Sequence, residues 1–218
     1  GVVGMGGAGL STHVKLSPKE PDKIDTIIVN ASECEPYLTS DYRRIIDEAD
    51  KVIGGLEIVL TMFPGAKGII GIEDNKPKAI EELYKIAADK RDVDNSVQLM
   101  RLKSHYPQGA EKVLIYSATG RRVPPGKLPS DVGCVVMNVT SISVLNKYIK
   151  TGMPLVYKTV TVDGSAIAEP QNVLVPIGTA VKDVLEFCGG FKSAPRKILY
   201  GGPMMGTALL NTDMPILK

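Results

Sequence analysis

Asn30, Glu33 and Glu35 stand together in the stretch NASECEPYLTSD (30–41), an amide and two carboxylates within a few residues. Side chains alternate along an extended chain, so Glu33 and Glu35 share one face if the preceding strand runs on. Paired acids can bind a cation, hold ribose hydroxyls or do acid–base work. An exposed turn with solvated acids would show the same residues. A second candidate is the opening run GVVGMGGAGLSTHVKL. Gly4, Gly6, Gly7 and Gly9 let a backbone turn tightly and approach a ligand closely. Such loops recur where backbone N–H groups face a phosphate, and Lys15 adds a mobile positive charge. The spacing G-x-G-G-x-G is neither the dinucleotide fingerprint nor a P-loop, so a flexible leader remains the alternative.

A third candidate is HYPQGAEK (105–112). Gly109 precedes an expected helix start, a natural anion site, and Tyr106 can stack on or hydrogen-bond a ring. Glu111 falls in the first helical turn, where the helix dipole favours a negative charge with or without a ligand. The fourth, RRVPPGKLPSDVGCVVMNVTS (121–141), is a rigid proline-rich surface loop feeding a strand that ends near Asn138 and Thr140. Cys134 reads as a small buried strand residue. Cys34, between two acids, is a poor thiolate. His13 and His105 are the only histidines, and neither has a second histidine or a cysteine at ligand spacing, so no metal site is expected.

The elements that would position these residues alternate. KIDTIIVNAS (23–32), AKGIIGIED (66–74), SVQLMRLK (96–103) and GCVVMNV (133–139) read as buried strands. Helical spacing appears at 40–63, 76–90, 109–119 and 141–151, with Ser40 or Asp41 as a cap for the first. Gly54-Gly55 is either a weak spot in that first helix or a place where another backbone packs close. Strand–helix alternation implies a parallel sheet covered by helices, an α/β fold in which ligands sit at the carboxyl ends of the strands. The pattern changes after Gly152. PLVYKTVTVDG (154–164) alternates with period two and ends in Asp-Gly, a hairpin signal. A short strand and a helix capped by Thr179 and closed by Gly189-Gly190 follow, then RKILYGG (196–202) as a returning strand. The chain is therefore read as two domains, 1–152 and 153–218, the second a small α+β module such as a β-grasp.

Composition narrows the function. Basic and acidic residues nearly cancel, 26 against 24, and no basic cluster stands out, so nucleic acid is not an expected partner. Three distant cysteines offer no disulfide framework, which suits a reducing, cytosolic setting. No apolar run approaches the roughly 20 residues of a membrane span. The ends carry no terminal signature, and the chain reads as a fragment of something longer.

Taken in order, GMGGAGLSTHVK, NASECEP, IGIEDNKPKAI, HYPQGAEK, TGRRVPPGKLPSDVG and GGPMMG closely resemble the C-subunit family of the Rnf electron-transport complex, over essentially the whole chain. More distantly, Gly4 through Lys15 is similar to the G-R-G-G-A-G-F-P-T-G-x-K run of the 51 kDa flavoprotein subunit of respiratory complex I. The resemblance implies an FMN domain of the complex I 51 kDa type, then a β-grasp module of the soluble-ligand-binding (SLBB) kind. It implies FMN held noncovalently, NAD(H) stacked on it, and hydride exchange between them. Gly4, Gly6, Gly7, Gly9 and Lys15 would face the phosphate and ribityl chain. Asn30 and Glu33 would line the flavin, and Glu35 would lie near the nicotinamide pocket. Tyr106 and Gly109 would pack at the flavin, Glu111 would stand at the hydride-transfer edge, and Asn138 would match one asparagine of the family's pair, Met137 replacing the other. Glu111 and Glu35 are the implied catalytic pair, in positioning roles.

The resemblance also implies partners: the other subunits of a peripheral complex on the cytoplasmic face of the bacterial membrane, and ferredoxin indirectly. The family's [4Fe–4S] motifs are absent from these 218 residues and would follow Lys218. Leu10-Ser11 replaces the family's Phe-Pro, Ser32 an aspartate and Ala110 a glutamate, changes that bear on NADH more than on FMN. A cobalamin reductase of bacterial microcompartments shares the architecture, and a docking module with a decayed flavin site is the non-enzymatic alternative.

Overall fold

The structure is a computed structural model that describes residues 1–5, 9–90 and 97–217, the side chains of 89 and 90 excepted. It divides into two compact units: 1–34 with 41–154, and 35–40 with 155–218.

In the first unit a four-stranded parallel sheet has the order β3-β2-β1-β4, formed by β1 (Thr26–Ala31), β2 (Lys67–Glu73), β3 (Val97–Leu102) and β4 (Cys134–Asn138). After α1 (Thr12–Lys15), the crossovers are α2 (Ser40–Thr61), α3 (Pro77–Lys90) and α4 (Glu111–Thr119), and α5 (Val139–Thr151) follows β4. β1 and β4 are almost wholly buried runs of Ile, Val and Met, the composition of parallel strands covered on both faces. One core packs Ile27 and Val29 with Ile45, Ile53, Leu56 and Ile142. A second packs Ile28 and Val136 with Leu114 and Ile115 on the other face. Cys134 is one of these buried strand residues, fully out of solvent.

Gly54-Gly55 proves to be a close helix–backbone approach. A Cβ on Gly55 would lie 2.2 Å from the Ile142 carbonyl oxygen, so only glycine lets α2 reach α5 there. At the start of α2 the Asp41 side chain is not the group that meets the first N–H donors. The N–H groups of Asp41 and Tyr42 donate to the Glu33 carboxylate at 2.8 and 3.1 Å, while the Asp41 side chain is turned to β4 and α5.

The second unit pairs β5 (Tyr157–Val162) antiparallel with β6 (Gln171–Pro176), and β7 (Leu199–Tyr200) with β8 (Thr207–Ala208). Its own core gathers Val173 and Val175 against Val181, Val184 and Leu185 of α6 (Val181–Phe187). Two local expectations change here. The Asp-Gly after β5 does not make a two-residue hairpin, because residues 163–170 intervene before β6. Thr179 does not cap α6: its hydroxyl donates to the Pro176 carbonyl, and Ala180 takes the cap position without a side-chain bond. Among the described residues no helix is long and apolar enough to cross a membrane.

Candidate functional site

The sheet order fixes where a ligand can enter. From β1 the chain moves one way to β2 and β3, then returns to place β4 on the other side of β1. Open α/β sheets bind ligands outside the carboxyl ends of the strands at this switch point. Asn30 near the end of β1 and Asn138 at the end of β4 are register partners across it.

Four segments meet at this edge. The amide nitrogen of Asn30 donates to the Gly109 carbonyl at 2.8 Å, and its oxygen accepts the Ser32 N–H. Both ends of the Asn30 amide thus hold loop backbone. The Gly109 N–H donates to Cys34 Sγ at 3.3 Å, and a Cβ on Gly109 would lie 2.4 Å from the Ser32 carbonyl oxygen. That approach is what requires glycine in the third motif. Tyr106 is largely exposed beside it. The N-terminal loop joins through Met5, whose N–H donates to Ser141 Oγ at 2.9 Å. Within that loop the Gly4 N–H donates to the Leu10 carbonyl, and Gly9 takes the left-handed value φ +67°. Gly6 and Gly7 lie outside the described residues. Lys15 Nζ lies 3.1 Å from Glu111 Oε1, linking the opening run to the first turn of α4.

Asn138 and Thr140 are tied into the same edge. Asn138 Oδ1 caps α5 by accepting from the N–H groups of Thr140 and Ser141, an asparagine cap of the ordinary kind. Its Nδ2 and the Thr140 hydroxyl both donate to Asp41. Glu33 sits one step behind Asp41, and β1 stops at Ala31, so the alternation that would align Glu33 with Glu35 does not extend to them. Burial first, then the Asp41 charge, pushes the Glu33 carboxyl up to about 7, against the pull of the Asp41 and Tyr42 N–H groups and of Lys76. Lys76 Nζ is 3.2 Å from the buried Glu73 carboxylate and 3.4 Å from the Glu33 carbonyl.

From the sequence Asp41 is named only as a helix cap, and Lys76, Ser141 and Gln108 are not singled out. Lys76, following a strand in IGIEDNKP, carried a usable signal, since a cation at a strand's carboxyl end is already at the ligand edge. Ser141 carried none, because its bond to Met5 spans 136 residues. Glu35 belongs to the second unit, where its partners are the N–H groups of Met204 and Met205.

Residues 1–147 match the model of the Nuo51 FMN-binding domain. The chain belongs to that family. Residues 159–208 match the SLBB domain, so a Nuo51-type FMN-binding domain is followed by an SLBB domain. The chain is 50% identical over all 218 residues to the C subunit of the proton-translocating ferredoxin:NAD(+) oxidoreductase complex of Clostridium ljungdahlii. It is 44% identical over the same span to the C subunit of the Na(+)-translocating complex of Acetobacterium woodii. It spans about half the length of these relatives, 47% and 48%. Two crystal structures of NAD+-reducing [NiFe]-hydrogenase share the fold. The air-oxidized form has a TM-score of 0.79 at 23% identity, over 99% of this chain and 42% of that one. The H2-reduced form has 0.74 at 22%, over 91% and 38%.

The residues of this Nuo51-type domain fit FMN. Gly109 lets two loops pack closely at the edge, since a Cβ there would lie 2.4 Å from the Ser32 carbonyl oxygen. Gln108 Oε1 is buried beside it with no hydrogen-bond partner among the described residues. Lys15 is the kind of cation a phosphate calls for, while the N–H groups of Gly4 and Met5 are already used by the Leu10 carbonyl and Ser141.

Proposed function

We propose that these residues are the flavin-bearing part of the C subunit of an Rnf-type ferredoxin:NAD(+) oxidoreductase. The observation that carries this reading is the convergence of the opening loop, the 30–34 loop, the start of α4 and the end of β4 on one sheet edge, within a span that matches an FMN-binding family. When bound, FMN would exchange a hydride with NAD(H) and release electrons singly to iron–sulfur clusters elsewhere in the full protein.

The protein's part is to hold and orient. Lys15 and the glycine loop of Gly4, Gly6, Gly7 and Gly9 face the phosphate and ribityl chain. Asn30 shapes the flavin wall by fixing Gly109. Tyr106 packs at the ring. Glu111, held by Lys15, positions the nicotinamide at the hydride-transfer edge. Glu33, Asp41, Asn138 and Thr140 form the polar scaffold behind them. No proton transfer from these side chains is needed for a hydride step.

The domains are 1–152 for flavin and nicotinamide and 153–218 for the SLBB module. The full protein works peripherally at the cytoplasmic face of the membrane, among the other subunits and with ferredoxin as the indirect electron partner. The test is anaerobic mixing of the FMN-loaded chain with NADH. Bleaching of the flavin bands supports the reading, and stable oxidised flavin in excess NADH contradicts it.

A further inference from the structure

The sharpest unassigned feature is Glu35. Its Oε1 accepts two backbone bonds, from Met204 N at 2.6 Å and Met205 N at 3.1 Å. These belong to the GGPMMG run between β7 and β8, all within the second unit. The turn is built around that oxygen. Gly201 and Gly202 take φ of +100° and +95°, values open essentially to glycine. The Gly206 N–H closes on the Gly202 carbonyl at 2.9 Å. A Cβ on Gly202 would lie 2.4 Å from Glu35 Oε1, so that glycine makes room for the carboxylate itself.

A second anchor lies four residues on. The Thr39 N–H donates to Thr161 Oγ1 at 3.1 Å, and Asn172 Nδ2 donates to Thr39 Oγ1 at 2.9 Å. Between the anchors Tyr37 sits at φ +68°, a left-handed value that a bulky residue keeps only where its surroundings over-determine it.

We propose that Glu35 is a positioning residue that holds the 201–206 turn, and that residues 35–40 are a strap of the second unit, anchored to it at Glu35 and at Thr39. The chain passes directly from Cys34 of the first unit to Glu35 of the second. The geometry calls for an acceptor oxygen rather than a charge, because both N–H groups converge on one oxygen. This goes beyond the flavin reading and gives Glu35 work other than at the nicotinamide. It needs no bound cofactor, so loss of flavin binding would overturn the flavin reading and leave this one standing.

The test is amide hydrogen exchange of the full chain, with Glu35→Ala, Glu35→Gln and Gly202→Ala beside the wild type. Glu35→Ala should speed exchange at the Met204 and Met205 amides by about tenfold or more and also raise it in the peptide 35–40. Glu35→Gln keeps the acceptor and should stay within about threefold of wild type. Gly202→Ala attacks the same contact from the other side and should reproduce the alanine pattern, even if one variant folds poorly. Exchange unchanged in Glu35→Ala, or glutamine as fast as alanine, overturns the proposal.

Discussion

Lys15 Nζ and Glu111 Oε1 lie 3.1 Å apart, an ion pair between residues 96 positions apart in the chain. It joins the opening glycine run to the first turn of α4. Both side chains are partly exposed, at 33% and 41%, so the pair contributes at most about 1 kcal/mol to folding. Its importance in the proposed site is positional: the cation assigned to the phosphate and the carboxylate assigned to the nicotinamide are held by one contact.

That contact separates binding from turnover. Lys15→Ala should weaken FMN affinity by about 1.5–3 kcal/mol, the range of a hydrogen bond to a charged group. Glu111→Ala should leave FMN affinity within a few tenths of a kcal/mol, since Lys15 remains available, and slow flavin reduction by NADH. Equilibrium flavin titration and stopped-flow reduction read the two effects. Loss of flavin in Glu111→Ala with normal reduction of the residual holoprotein would reverse the assignment.

Glu33 gives a pH signature. Its carboxyl is raised from 4.5 to about 7 in the folded chain, chiefly by burial and next by Asp41. A raised carboxyl keeps its proton longer in the native state, so the unfolded chain binds fewer protons between these values. Its contribution is therefore fully present below pH 4.5 and is lost as pH rises through about 7. The loss should be on the order of 1–3 kcal/mol. Urea unfolding of wild type and Glu33→Gln at a series of pH values should show the decline in the wild type and a flatter profile in the variant. Glutamine also costs a constant offset, because its amide nitrogen faces a backbone N–H. The slope, not the offset, is the test, and equal slopes would remove Glu33 from the account.

The α2–α5 approach predicts an ordering of two neighbouring variants. Gly55→Ala drives a Cβ to 2.2 Å from the Ile142 carbonyl oxygen, which belongs to backbone and has little room to retreat. A loss of about 1–3 kcal/mol is expected. Gly54→Ala meets the Asn146 side-chain nitrogen at 2.6 Å, a side-chain rather than a backbone atom, and the variant recovers up to about 1 kcal/mol of helix propensity. Thermal melts should rank Gly54→Ala well above Gly55→Ala. The opposite order would mean that the helices separate easily.

Much of the fold was legible because burial on both faces leaves unmistakable Ile/Val runs, as in TIIVNA and CVVMN. Gly54-Gly55 was legible as a choice between two meanings, and only the position of α5 selects one. The site was legible as four segments at strand ends. Their internal wiring was not, because capping of α2 by Glu33 across eight residues and of the 201–206 turn by Glu35 across 169 follows no local period. Thr179 has a cap-forming type, yet its hydroxyl finds the Pro176 carbonyl closer at hand. Local propensity is a weak prior wherever a tertiary partner competes.

The central claim is that the switch-point edge is built to hold FMN, and Gly109 tests it most directly. A Cβ there would lie 2.4 Å from the Ser32 carbonyl oxygen and 3.1 Å from Cys34 Sγ, at the edge proposed to line the flavin. Titration of flavin fluorescence should show saturable FMN binding by the wild type. Gly109→Ala should weaken it by about tenfold or more, roughly 1.4 kcal/mol, with the cooperative unfolding of the α/β unit retained. No FMN uptake by the wild type, or wild-type affinity in Gly109→Ala, would contradict the account.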